Sequence, residues 1–155
     1  MKIRIVAIGK CKGEWVSAAT ERFTKLLSRD CQLEIIETPE IKKSPDGSIE
    51  TLINREGQRL LKKVRGDYVY CLDQHGDKLS SEQFAKAISK NQTSGKNSLD
   101  FVIGGAFGLS QEVQSKADRI FSLSDMTFSH QIARVVLLEQ LFRAFSILKG
   151  SPYHK

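Results

Sequence analysis

The chain has 155 residues, of which 40% are apolar and 27% charged, with a formal net charge of +6. That is enough for one domain, residues 1–155, with a proper buried core, and no apolar run approaches the ~18 residues a membrane span requires. Cys11, Cys31 and Cys71 are odd in number and widely spaced without a Cys-x-x-Cys, which argues against a disulfide framework or a cysteine zinc site. The charge is uneven: residues 1–65 carry fourteen Lys and Arg against nine Asp and Glu, the remainder ten against nine. A polyanionic partner fits this bias only slightly better than a simply basic soluble protein does.

Strand and helix signals alternate along the chain. Residues 2–9 read as an apolar strand, too short and too charged for a secretion signal, so a cytoplasmic location is expected. Residues 14–29 read as an amphipathic helix with Trp15, Ala18, Ala19, Phe23, Leu26 and Leu27 toward one side. Leu33–Ile36 is a short strand, and 39–47, with Pro39, Pro45 and Gly47 among charges, a loop. A helix from about Ser48 to Val64 precedes the strand 67–72, which holds Cys71 as a buried small hydrophobe and ends at the polar turn 73–77. Ser80 and Gln83 form a capping box for a helix to about Lys90. A strand over 98–103 runs into Gly104-Gly105, Ser110 caps a short helix to about Lys116, and 119–123 is the last strand. A strong helix spans 131–148. The alternation predicts one α/β domain with a parallel sheet covered on both faces.

Ligands of open parallel sheets bind beyond the carboxyl ends of the strands. Three such ends are distinctive: Leu72-Asp73-Gln74, Gly104 to Gly108, and the loop 122–130. The glycine turn has neither the Gly-Lys-Ser/Thr of a phosphate loop nor a Gly-x-Gly-x-x-Gly, and no cation sits in it. That disfavours a nucleoside triphosphate and suits an adenosyl ligand without phosphates; a plain strand-to-helix turn is equally compatible. In 122–130, small hydroxyls alternate with apolar groups, and Met126 and Phe128 offer apolar walls.

The final helix carries Ile132, Val135, Leu137, Leu138, Leu141, Phe142, Phe145 and Leu148 around well over half its circumference, more than one buried stripe needs. A homodimer through 131–148 accounts for the excess, with burial inside the monomer as the alternative. Glu139 and Arg143, four apart on the polar arc, read as a solvated ion pair. The tail Ser151-Pro152-Tyr153-His154-Lys155 offers a ring, an imidazole and a cation, groups that recognise unstacked RNA bases.

Together these residues resemble, along the whole chain, the SPOUT (α/β-knot) methyltransferases that modify N3 of a pseudouridine in bacterial 23S ribosomal RNA. The matching pieces are Ile5-Val6-Ala7-Ile8-Gly9-Lys10 with Trp15 after it, Leu72-Asp73, Phe101 to Leu109, Leu123 to Arg134, Glu139 to Ala144 and Pro152-Tyr153-His154. Phe142, where a tyrosine is common, and a terminal Lys155 are mild departures. The resemblance implies a parallel-sheet domain with a C-terminal deep trefoil knot, an exception to the rule against threaded chains. It implies S-adenosylmethionine held by Leu72, Gly105, Ser124, Asp125, Met126, Thr127, Phe128 and Ser129, and a homodimer whose RNA site draws on both subunits. The direct displacement needs no metal. Arg143, Tyr153 and His154 are the expected catalytic side, His154 as base for the N3 proton and Arg143 as counter-charge. Arg134 is expected to be structural or to contact phosphate, and His130 to shape the loop. The assembled ribosome is the expected target, with Lys42, Lys43, Arg59, Lys62, Lys63 and Arg65 as candidate phosphate contacts. A knot methyltransferase of tRNA and a non-catalytic RNA-binding protein are the rival readings.

Overall fold

A computed structural model describes residues 1–154. Its elements are β1 Lys2–Ile8, α1 Glu14–Leu27, β2 Gln32–Thr38, α2 Ile49–Leu61, β3 Tyr68–Lys78, α3 Ser81–Thr93, β4 Ser98–Ile103, α4 Gln111–Ser115, β5 Arg119–Ser122 and α5 His130–Leu148. The five strands form one sheet in the order β2-β1-β4-β3-β5, and every pairing is parallel. Side chains alternate across the sheet, so Ile3, Ile5 and Ala7 of β1 join residues of α1, α3 and α5 in one core. Val6 and Ile8 face the other way, into a smaller core with Leu60 of α2 and Val113 of α4. No helix is long and apolar enough to cross a membrane among the described residues.

Local chemistry sets the helix starts. Ser48, Ser80, Ser110 and Ser129 each accept a backbone N–H from inside the first turn of the helix that follows, and Ser80 with Gln83 completes the expected capping box. Two expectations are corrected. Trp15 is 57% exposed and Ala18 is exposed while Val16 is fully buried, so the inward stripe of α1 begins at Val16; Phe23 and Leu27 of the expected stripe do face the core. The segment 73–77 is not a turn that ends β3: the strand continues to Lys78 with a register shift, Leu72 and Asp77 both pairing with Phe121. An extra stretch of chain bulges out there, as in a β-bulge. Gly76 permits it, since a Cβ would lie 2.7 Å from the backbone of Phe121. Cys71 lies in the core as expected, and burial pushes its thiol up to about 12.

One charged pair is enclosed by the fold. Arg4 and Asp100 are register partners on β1 and β4. The guanidinium grips the carboxylate through Nε–Oδ1 and Nη2–Oδ2 bonds of 2.8 Å each. The backbone N–H groups of Arg65 and Gly66 donate to the same Oδ2 at 2.7 and 2.9 Å. A buried pair stripped of one partner leaves an uncompensated charge, at a cost of about 3–5 kcal/mol. Asp100→Ala should therefore lower the unfolding free energy in urea by about that amount. The double change of Arg4→Met with Asp100→Leu should cost distinctly less, and equal losses would show that the charge is not the cause.

Candidate functional site

The carboxyl ends of β3, β4 and β5 open into a cavity of about 820 Å³, within the usual size range of small-molecule sites. Its walls are Leu72 to His75 from β3, the turn 103–109 after β4, and most of the loop 122–130. Gly104 is obligatory, because a Cβ there would lie 2.4 Å from the carbonyl oxygen of Gly108. A Cβ on Gly105 would meet Glu56 Oε2 at 2.6 Å. The bridge between Gly105 and Gly108 closes the turn tightly, so backbone groups rather than side chains border the ligand space.

The loop is braced by its own hydroxyls. Ser122 Oγ donates to the carbonyl of Ser124 at 2.8 Å, and Ser124 Oγ accepts the N–H of Met126 at 3.0 Å. Thr127 Oγ1 donates to Gln74 Oε1 at 3.1 Å, linking the loop to β3. Ser129 caps α5. Of the residues assigned to the cofactor, Leu72, Gly105, Ser124, Met126, Thr127, Phe128 and Ser129 line the cavity. Asp125 does not: its carboxylate pairs with Lys78 Nζ at 2.6 Å, and both side chains are exposed.

Arg134 anchors the loop from behind. Only 2% exposed, it bonds the carbonyls of Ile8 and Gly9 at 2.7 and 2.6 Å and the carboxylate of Glu37 at 2.8 Å. His130 Nδ1 stands 3.2 Å from the same guanidinium, which makes Nδ1 the acceptor and leaves the proton on Nε2. Burial first, and the Arg134 charge second, hold His130 below the ordinary 6.5 of histidine.

Arg143, Tyr153 and His154 come together, but away from the cavity. Arg143 lies over the Tyr153 ring, 4.8 Å from its centroid, and its Nη1 is 3.5 Å from His154 Nδ1. Glu139 is the hub of the group. Its Oε1 accepts Arg143 Nη2 at 2.5 Å, Arg143 Nε at 3.0 Å and the Tyr153 hydroxyl at 3.2 Å. The Glu139–Arg143 pair is thus only about one-quarter exposed, where a solvated pair was expected. His154 Nε2 meets Glu82 Oε1 at 2.7 Å. The Ser80 hydroxyl, then the start of α3, then His154 hold Glu82 down to about 2. Lys155 lies outside the described residues. Lys42, Lys43, Arg59, Lys62, Lys63 and Arg65 are all exposed, and Arg59 also donates to the carbonyl of Pro39 at 2.7 Å.

Sequence reasoning passed over Glu37, Glu56 and Glu82, which support the site from flanking elements. A carboxylate on a helix or strand edge looks solvated until its partner, dozens of residues away, is placed. The only hint at Glu56 was its apolar neighbourhood on α2; it is 3% exposed, and burial raises its pKa.

The family model described as Predicted SPOUT methyltransferase matches residues 1–154, and the chain belongs to that family. It is 45% identical over the full length of both chains to the ribosomal RNA large subunit methyltransferase H of Halothermothrix orenii. It is 42% identical, again over both full lengths, to the protein of the same name from Clostridium kluyveri. Among solved structures, a probable methylase family protein from Haemophilus influenzae aligns with TM-score 0.56 at 15% identity, over 99% of this chain and 70% of that one. A tRNA methyltransferase from Aquifex aeolicus aligns with TM-score 0.57 at 16% identity, over 92% and 70%. These two likenesses concern the fold alone.

The position of His130 makes a stability test. Its native pKa is depressed, so between the ordinary 6.5 and that lower value the unfolded chain binds more protons than the native one. The stability it contributes is complete above 6.5 and is lost as pH falls through the depressed value. Urea midpoints should drop between pH 7.5 and 5.5, and His130→Gln should flatten that drop. An unchanged slope in the variant would contradict the assignment.

Proposed function

We propose that the protein methylates N3 of a pseudouridine in large-subunit (23S) ribosomal RNA, using S-adenosylmethionine, as a cytoplasmic homodimer acting on assembled ribosomes. The full-length likeness to ribosomal RNA large subunit methyltransferases supports the substrate class, and the cavity supports the cofactor. Its volume, its backbone-bordered glycine turn and the lack of any Lys or Arg among its lining residues suit an adenosyl ligand that carries no phosphate. Leu72, Gly105 and the loop residues from Ser124 to Ser129 would hold it, with Asp125 acting on the outside through Lys78.

The observation that carries the dimer is the separation of the two sites. His130, at the cavity, and Arg143 lie thirteen positions apart on α5, a rise of about 20 Å. One subunit therefore keeps its cavity and its tail apart. Two α5 helices packed antiparallel about a twofold axis would set the tail of each against the cavity of the other. Ile132, 41% exposed near the start of α5, would be covered by the contact.

When bound, S-adenosylmethionine supplies a methyl group on a sulfonium, so N3 gains a bond to carbon as the carbon–sulfur bond breaks and the pair stays on sulfur. The chain's part is to place the base and free its nitrogen. The ionised Glu82 receives the Nε2–H of His154 and leaves Nδ1 as the acceptor for the N3 proton. Arg143 balances the imide anion, and the Tyr153 ring stacks on the base or on a neighbour.

Incubation with methyl-labelled cofactor and either ribosomes or free large-subunit RNA, both from cells lacking this protein, tests the reading. Label should enter the RNA of ribosomes at a pseudouridine and be far weaker on free RNA. Label in tRNA instead, or in no RNA, would overturn it.

A further inference from the structure

Among the described residues lining the cavity, Asp73 is the single Asp, Glu, Lys or Arg. The remaining walls are glycine backbone, hydroxyls, amides, apolar groups and the imidazoles of His75 and His130. Behind Gly105 the buried Glu56 has one oxygen on the N–H of Ile41 and its Oε2 without a partner, and burial raises its pKa toward the neutral form. The other charges nearest in the fold are matched elsewhere. Asp125 and Lys78 neutralise each other on the exposed side, and Arg134 is met by Glu37 and two carbonyls behind His130. The carboxylate of Asp73 is also held in place: Oδ1 accepts the N–H of His75 at 2.9 Å, and Oδ2 accepts Gln114 Nε2 at 3.3 Å. Both donors are neutral, so the negative charge is fixed without being cancelled.

From this we infer that Asp73 is the residue by which the cavity distinguishes a cationic ligand from its neutral counterpart, here S-adenosylmethionine from S-adenosylhomocysteine. The inference rests on the cofactor reading above. The two molecules share adenosine and amino-acid ends and differ by one methyl and one positive charge on sulfur. Shape complementarity alone separates them weakly, because a methyl in an open cavity adds little. A lone carboxylate in a partly desolvated wall responds to the charge directly. The same device favours turnover, since transfer of the methyl removes the attraction and leaves a product that the cavity holds less firmly. Asp73 acts here through charge alone and exchanges no proton.

Calorimetric titration of the purified full chain with each ligand at pH 8, above the ordinary titration range of histidine, provides the test. Asp73→Asn keeps the size and the acceptor oxygen but removes the charge. It should weaken binding of S-adenosylmethionine about tenfold while leaving S-adenosylhomocysteine within about twofold, and Asp73→Glu should preserve the ratio of the two dissociation constants. Equal losses for both ligands, or no loss for either, would overturn the inference while leaving the cofactor reading intact. Failure of the unaltered protein to bind either ligand would overturn the cofactor reading, and this inference with it. Should the Asn variant not fold, the unaltered protein gives the second measurement. Its preference for the cationic ligand should fall as salt is raised, and a ratio indifferent to salt would count against the role of Asp73.

Discussion

The guanidinium of Arg134, with almost no access to water, holds together three parts of the chain that are distant in sequence. It ties α5 to the carboxyl end of β1 through two carbonyls and to β2 through Glu37. Because α5 starts at the end of the loop 122–130, this single side chain sets where that loop can lie. It also fixes the tautomer of His130, and His130 fills the space beside Gly9, where a Cβ would come within 3.0 Å of the imidazole. A charge so enclosed is tolerable only when well partnered, and both Nη groups of Arg134 are, while its Nε alone is left without a partner. The geometry of the cavity is therefore specified together with the packing of the C-terminal helix. A displaced α5 would strand a buried cation, so the loop is not free to drift.

Around that anchor the molecule divides its chemistry in two. The cavity is nearly uncharged and built from backbone, which suits a ligand recognised by shape and by many weak contacts. The group formed by Arg143, Tyr153 and His154 is charge-rich and organised by carboxylates, Glu139 on one side and Glu82 on the other. Such a group suits a polyanionic substrate and a proton that must be removed. On the proposed reading, a complete reaction centre would depend on assembly.

Much of this was legible in the sequence. The alternation of apolar strands and amphipathic helices, the capping serines and the glycine turn after β4 lead directly to the parallel sheet and the place of its cavity. The failures have physical causes. Trp15 was placed on the inward stripe of α1 because it is large and apolar, yet Val16 beside it takes the buried position of the first turn and turns Trp15 to the outside. The segment 73–77 reads as a turn by composition, but a bulge with a glycine against Phe121 lets polar residues remain in a strand. Burial of Arg134 is invisible to periodicity, since its partners are carbonyls at the far end of the chain. Glu82 and Glu56 escaped notice for the same reason. Strand order and the meeting of the tail with α3 are long-range properties that no local pattern encodes.

The claim on which the account turns is that cavity and tail react across two subunits, and subunit mixing tests it most directly. Thr127→Trp, which would fill the cavity, and His154→Ala, which removes the base, should each abolish methyl transfer to ribosomes. Mixed in equal amounts and allowed to exchange subunits, the two inactive proteins would form mixed dimers with one intact composite site each. About one quarter of the unaltered activity should return. No recovery, with exchange of subunits demonstrated, would contradict the account and place the whole reaction within a single chain.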